Sequence, residues 1–282
     1  MIIPLLKETA LLEDIRQARQ LSDHFHLWWL GQSGFLVCWQ GQFLLFDPYL
    51  SDSLTRKYAD SAKPHVRMTE RVIDPGQLDF VDLVTSSHNH TDHLDAETLK
   101  PLIAANLDLA VVVPSANRQF VAERLGVEED WLHCLEVGEQ FSHGPFTLQA
   151  VPAAHEQLDL DDEGRHPYLG YVASFGPWSI YHSGDTVPYE GMVEVLSPWN
   201  LDLAMLPING RSATRDVPGN LWGREAVQLA REAGISMVIP CHYDMFTFNT
   251  ETPDEFLREA AVTGQPVQVL QAGERFSSHQ LP

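Results

Sequence analysis

Cysteine is scarce in this chain. Its 282 residues hold three, Cys38, Cys134 and Cys241, widely spaced and odd in number. No CxxC pair occurs, so neither a disulfide framework nor a thiolate zinc finger is encoded, and free thiols in a reducing compartment are expected. Basic residues are also few: 18 Lys plus Arg stand against 39 Asp plus Glu, a formal net charge of −21. Such a surface repels polyanions at long range. That argues against a nucleic-acid binder and against attraction to acidic membranes. No run of about 18 apolar residues is present, so no transmembrane helix is expected. The opening MIIPLLKETALLEDIRQ has too short an apolar stretch for a signal peptide. The expectation is a soluble cytoplasmic protein. No GxSxG supplies a serine nucleophile, and low-complexity tracts are missing.

What remains is an ordinary globular composition, 44% apolar and 20% charged. Strand-like apolar runs are read at His26–Leu30, Phe35–Trp39, Phe43–Phe46, Leu83–Ser86 and Ala110–Val113. A second series covers Phe146–Val151, Tyr168–Phe175, Trp178–His182, Leu203–Ile208 and Met237–Pro240. Helical patterns over 8–20, 115–125, 221–233 and 252–261 lie between them. Thr252, Pro253 and Glu255 read as a capping box for the last of these, and Asn220 as the cap of the third. Residues 51–75 form a long irregular connection of the kind that often serves as a lid. One internal echo stands out. GFLVCWQGQFLLFD (34–47) and GYVASFGPWSIYHSGD (170–185) each run as strand, tight turn, strand and terminal Asp.

Histidine is abundant, with 13 copies, and it is clustered. The stretch SSHNHTDHLD (86–95) follows the apolar run VDLVTS and carries His88, His90, Asp92 and His93. In extended chain, residues two apart share a face, so His88 and His90 point together. Asp92 and His93 point differently, which suits a second ion beside the first. Imidazole and carboxylate donors fit zinc, manganese or iron(II). His155, Asp185 and His242 each follow another strand-like run, and strand ends gathered at one sheet edge are where open α/β folds place their sites.

The succession HNHTDH, a single His, GDT and a C-terminal PCH resembles the metallo-β-lactamase-fold hydrolases. Within them, DPYLSDS (47–53), YHSGDT (181–186), INGRSATR (208–215) and PCHYDMF (240–246) look like motifs of the L-ascorbate-6-phosphate lactonase group. The resemblance covers roughly residues 26–250. It implies an α/β fold, a four-layer αββα metallo-β-lactamase sandwich built from two similar halves. That would make 1–282 one domain, with an N-terminal half of about 1–140 and a C-terminal half of about 141–282. It further implies two divalent metal ions, Zn or Mn: one on His88, His90 and His155, the second on Asp92, His93 and His242, with Asp185 bridging. A homo-oligomer is compatible with the family.

The chemistry expected is metal-dependent hydrolysis. Two adjacent ions lower the pKa of a shared water to near neutrality, and the hydroxide attacks a carbonyl or phosphorus. Asp92 is the catalytic candidate, as ligand and as acceptor of the water's proton. By the hairpin echo, Asp47 and His182 lie beside the site and orient its ligands. Arg211 and Arg215 are candidates for clamping an anionic substrate, and Asn209 for hydrogen-bonding it. The expected reaction is opening of a small anionic, phosphorylated sugar lactone. The competing reading is a small-molecule phosphodiesterase of the cyclic-nucleotide or phospholipid type on the same ions. A metal-binding scaffold without catalysis is the third.

Overall fold

The computed structural model describes all residues except positions 214 and 216, so part of the 208–220 segment lies outside the described residues. Among the described residues thirteen strands form two sheets. The first six are β1 (His26–Gly31), β2 (Gly34–Trp39), β3 (Gln42–Phe46), β4 (Leu83–Thr85), β5 (Ala110–Pro114) and β6 (His133–Leu135). The next six are β7 (Gln140–His143), β8 (Phe146–Pro152), β9 (Leu169–Phe175), β10 (Trp178–His182), β11 (Leu203–Pro207) and β12 (Met237–Cys241). The last strand, β13 (Arg275–Ser277), returns to pair with β1, so the first sheet runs β13-β1-β2-β3-β4-β5-β6 and the second β12-β11-β10-β9-β8-β7.

The two hairpins of the sequence echo are β2–β3 and β9–β10. Phe35 faces Phe46 in one, and Tyr171 faces His182 in the other. Each hairpin continues into parallel strands, β4 to β6 after the first and β11 to β12 after the second. The order therefore repeats with two differences: β13, from the C-terminal end, takes beside β1 the antiparallel place that β7 holds beside β8, and β6 has no counterpart in the second sheet.

Alternation along the strands explains the layers. Leu27, Trp29, Phe35 and Val37 point into the core between the sheets, while Trp28, Leu30, Leu36 and Cys38 point to the other face. Both faces are apolar because both are covered, which is why these strands read as unbroken hydrophobic runs. Helices α1 (Glu8–Ala18), α2 (Ser53–Lys57), α3 (Ala96–Ala105), α4 (Arg118–Leu125), α5 (Met192–Leu196), α6 (Gly223–Ala233) and α7 (Asp254–Thr263), with a few single-turn 3-10 helices, complete the described elements. Residues of α1, α3 and α4 cover the first sheet, and residues of α5, α6 and α7 cover the second. The result is the four-layer αββα sandwich of the metallo-β-lactamase fold. Among the described residues no helix is long and apolar enough to cross a membrane.

Two expected caps form differently. Asn220 does not cap α6. Its amide donates to Asn209 Oδ1 at 3.0 Å, and Glu225 instead accepts from the Trp222 N–H at 2.9 Å. Nor do Thr252 and Glu255 close a capping box. Thr252 turns to Asp254, and Glu255 is taken by Arg224 on α6.

Candidate metal centre and its cleft

The seven donors expected from the sequence meet at one edge of the sandwich. The loop after β4 carries His88, His90, Asp92 and His93. A turn folds it back, with the N–H groups of His93 and Leu94 both donating to the His90 carbonyl. Asp95 then caps α3 by accepting from the Glu97 N–H, which ends the loop. His155 follows β8, Asp185 follows β10 and His242 follows β12 directly. Gly184 allows the close approach of two strand ends: its φ is +59°, and a Cβ there would stand 2.6 Å from Ser87.

Among the described residues three groups of donors have ligand atoms within 4.8 Å of one another: His88 with His90 and His155, His88 with His93 and Asp185, and Asp92 with His93 and His242. Asp185 joins them, since its carboxylate lies 3.2 Å from His93 Nε2, 3.5 Å from His242 Nε2 and 3.9 Å from His155 Nε2. Buried polar atoms ordinarily have partners. Here His88 Nε2, His93 Nε2 and Asp185 Oδ1 are buried without a well-formed hydrogen bond, the last two only facing each other at 3.2 Å. Unpartnered donor atoms converging on shared points fit a bound cation, and the nitrogen and oxygen set, free of sulfur, suits borderline or hard divalent ions.

Charge divides the cluster. Burial lowers His88, His90 and His155, the last to about 4, so all three are neutral imidazoles, the form that ligates a metal. Burial would lower His93 and His242 as well. The carboxylates of Asp185 and Asp92 outweigh it, raising His93 well above its usual value and His242 to about 9. Asp92 and Asp185, despite their burial, are held below the usual carboxylate range by these two histidines.

Around this cluster, Asp47 lies directly after β3 and is fully buried. It pairs with His93 Nδ1 at 2.7 Å and accepts from Thr85, the Ser87 N–H and the Ser87 hydroxyl. His182 stacks on Phe46, donates from Nε2 to the Ser33 carbonyl at 2.8 Å and accepts the Gly184 N–H on Nδ1 at 3.2 Å. It touches the turn that carries Asp185 rather than the donors themselves. Backbone strain concentrates in the same region: Gln32, Asp47, His242, Asp244 and Asn249 all have positive φ.

Arg211 and Arg215 are elsewhere engaged. Arg211 makes a two-pronged pair with Glu225 at 2.6 and 2.7 Å, and Arg215 pairs with Glu251 and with the Asn209 carbonyl. Asn209 is fully buried between Asn220 and Asn249. None of the three lines the cleft over the donors. That cleft, of about 380 Å³, is walled instead by residues that sequence reasoning did not single out, among them Gln32, Lys57, His65, Arg124 and Phe248. Gln32 sits in the β1–β2 turn, at the same strand-end edge as the histidines, and that position was its one legible signal.

The 51–75 segment forms the outer wall of the cleft. It is held to the 244–247 stretch by Met68 N–H to Met245 O, Thr247 N–H to Val66 O and the Thr69 hydroxyl to Asp244 O.

Comparison with known proteins agrees with this architecture. Residues 43–243 match the model of the beta-lactamase superfamily domain. A UPF0173 metal-dependent hydrolase of Pelotomaculum thermopropionicum is 30% identical over 253 residues, covering 87% of this chain and 96% of its own. One from Methanopyrus kandleri is 29% identical over 256 residues, covering 88% and 97%. Among solved structures, a metallo hydrolase from Ignicoccus hospitalis superposes with a TM-score of 0.65 at 19% identity, covering 90% of this chain and 98% of that one. An isothiocyanate hydrolase from Delia radicum gut bacteria superposes with a TM-score of 0.71 at 18% identity, covering 89% and 98%.

Proposed function

The chain belongs to the beta-lactamase superfamily and, within it, to the UPF0173 metal-dependent hydrolases, and from that premise we propose that it opens the ring of a small anionic lactone. The observation that carries this reading is the convergence of unpartnered histidine and aspartate atoms on the floor of one small-molecule cleft whose described lining holds no serine or cysteine. With no serine or cysteine there, and with donors suited to ions that acidify water, water is the attacking species in this reading.

His88, His90 and His155 would hold one divalent ion, and Asp92, His93 and His242 a second, with Asp185 between them. Zinc and manganese both suit the donors. Such ions acidify water and polarise the oxygen of an electrophile. The protein supplies the rest. Asp47, buried and hydrogen-bonded to His93 Nδ1, fixes that ring so its Nε2 faces the cluster. Asp92, held as a carboxylate, accepts the proton that water loses. His182 keeps the Gly184 turn, and with it Asp185, in place.

The test is metal-dependent acid release at neutral pH from protein stripped and then reloaded with zinc or manganese. The substrates are a phosphorylated sugar lactone, an uncharged lactone and a cyclic phosphodiester. Preference for an anionic lactone, lost in Asp92→Asn with metal content retained, supports the reading. Turnover of the diester alone overturns the lactone and leaves the metal centre standing.

A further inference from the structure

The cleft has two walls of different chemistry. Its floor is the donor cluster. Opposite stands a layer of rings: His65 stacks on Tyr58 at 4.5 Å and meets Phe246 and Phe248 edge-on at 5.2 and 5.3 Å. This layer is built in. Phe246 packs with Tyr49, Leu54 and Met245 in a small buried cluster that Tyr58 covers, and the His65 Nδ1–H is tied to the Lys63 carbonyl at 2.9 Å. At its rim, Lys57 sits with its ammonium 5.1 Å from the centre of the Tyr58 ring.

The charge of the cleft opposes that of the chain. On a molecule of net charge −21, the described lining carries Lys57, Lys63 and Arg124, and its two acids, Asp92 and Asp185, both belong to the donor cluster. Arg124 is occupied with backbone carbonyls. Lys57 makes no ion pair among the described residues, and it lines the same cleft as His90 and His65. A cation and an apolar face within one small cleft recognise a molecule that has both counterparts.

We propose that Lys57 and the ring layer of Tyr58, His65, Phe246 and Phe248 are the specificity element of this cleft, and that they select a small amphiphilic anion, an acidic group on a planar apolar body, over a polyhydroxylated one. This rests on the hydrolase reading above and narrows its substrate. The lactone or ester bond lies toward the histidines, the acidic group toward Lys57, and the apolar body against the rings. A bare sugar phosphate satisfies Lys57 but leaves the rings in water.

Binding tests this without turnover. Ion-loaded protein is titrated calorimetrically with phenylphosphonate, benzyl alcohol and glucose 6-phosphate. Phenylphosphonate is expected to bind most tightly. Lys57→Gln should weaken phenylphosphonate about fivefold, the effect of one rim charge, and leave benzyl alcohol unchanged, while Lys57→Arg restores most of the loss. Phe248→Ser, at a half-buried position, should weaken both phenyl compounds and spare glucose 6-phosphate. The proposal is overturned if glucose 6-phosphate binds as tightly as phenylphosphonate, or if Lys57→Gln changes neither or weakens the charged and neutral probes alike. A protein that shows the expected pattern yet opens no lactone loses the reaction assigned above, not the recognition wall.

Discussion

The side-chain amide of Gln32 donates to Asp92 Oδ2 at 2.8 Å, and the same nitrogen lies 2.9 Å from His242 Nε2. It therefore occupies the space between two of the three donors of one metal group, while the atoms without a well-formed hydrogen bond belong to His88, His93 and Asp185. The backbone holds Gln32 there, since its carbonyl accepts from both the Trp29 indole and the His242 N–H. The two donor groups are thus unequal. The Asp92, His93 and His242 group is bridged by a neighbouring amide, whereas the His88, His90 and His155 group is closed only on itself, by His155 Nε2 and His90 Nδ1 at 3.2 Å.

Ion uptake is accordingly expected in two steps of different affinity, the first at His88, His90 and His155. Gln32→Ala should bring the second step closer to the first. Calorimetric titration of stripped protein, with metal content after dialysis as the check, reads this directly. Equal steps in the wild type, or a second step weakened by the substitution, would contradict the inequality.

Arg124 staples the metal-binding loop from outside. One of its guanidinium nitrogens donates to the Asn89 carbonyl at 2.8 Å and to the Leu94 carbonyl at 3.1 Å, on either side of Asp92 and His93. The Phe120 ring supports it at 4.3 Å. Removing it frees two carbonyls and the loop between them. Arg124→Ala should lower stability by about 1–2 kcal/mol and speed the loss of metal to a chelator. Lysine keeps the charge and has donors enough for both carbonyls on its one nitrogen, but it lacks the planar guanidinium that rests on Phe120, so Arg124→Lys should release metal at a rate between those of the wild type and the alanine variant. Full rescue by lysine would assign Arg124 an electrostatic role instead.

The donors were legible for a local reason. Four of them stand within six residues after one apolar run, and His155, Asp185 and His242 each close another. The fold and the clustering of these candidate donors were thus visible through strand ends. The cleft's specificity wall was not. Lys57 and His65 lie in a stretch without periodicity, and their neighbours Phe246 and Phe248 are about 180 residues further along the chain. Their meeting depends on the pairing of 66–68 with 245–247, which leaves no mark on either segment alone. Short edge strands were missed for a related reason. β6 and β13 have three residues each, too few for a pattern, and β7 alternates between exposed and half-buried positions.

Buried thiols make stability fall in alkali. Burial raises Cys38 from 9.0 to about 11 and Cys241 well above its ordinary value. A group raised on folding favours the native state below its unfolded value, and that contribution is lost as pH climbs toward the folded one. For Cys38 the window runs from about pH 9 to about pH 11, over which at most about 3 kcal/mol is at stake. Urea midpoints measured across it should drop less steeply in Cys38→Val than in the wild type. Parallel slopes would show that Cys38 does not ionise on unfolding. At pH 8, a thiol reagent should reach only the partly exposed Cys134 before denaturant is added.

Arg211 separates the two accounts of how an anion is held. On sequence alone its charge, beside Arg215 on a strongly acidic chain, marks it as a clamp. In the structure both prongs of its guanidinium go to Glu225, and one also reaches the Asn220 carbonyl. Glu225 in turn accepts from the N–H of Trp222, the residue just before α6, so the pair ties the 208–220 segment to the helix start. A partner already in place at 2.6 Å must be given up before a substrate anion can bind, and the cleft lining does not include this arginine. Arg211→Ala is therefore expected to cost stability, about 1 kcal/mol or less for a pair this exposed. It should leave the ratio of KM values for anionic and neutral substrates where it was, whereas Lys57→Gln should shift that ratio. If Arg211→Ala alone raises KM for the anionic substrate, the Glu225 pair opens in solution, and the anion is held on the 208–220 side of the cleft rather than at Lys57.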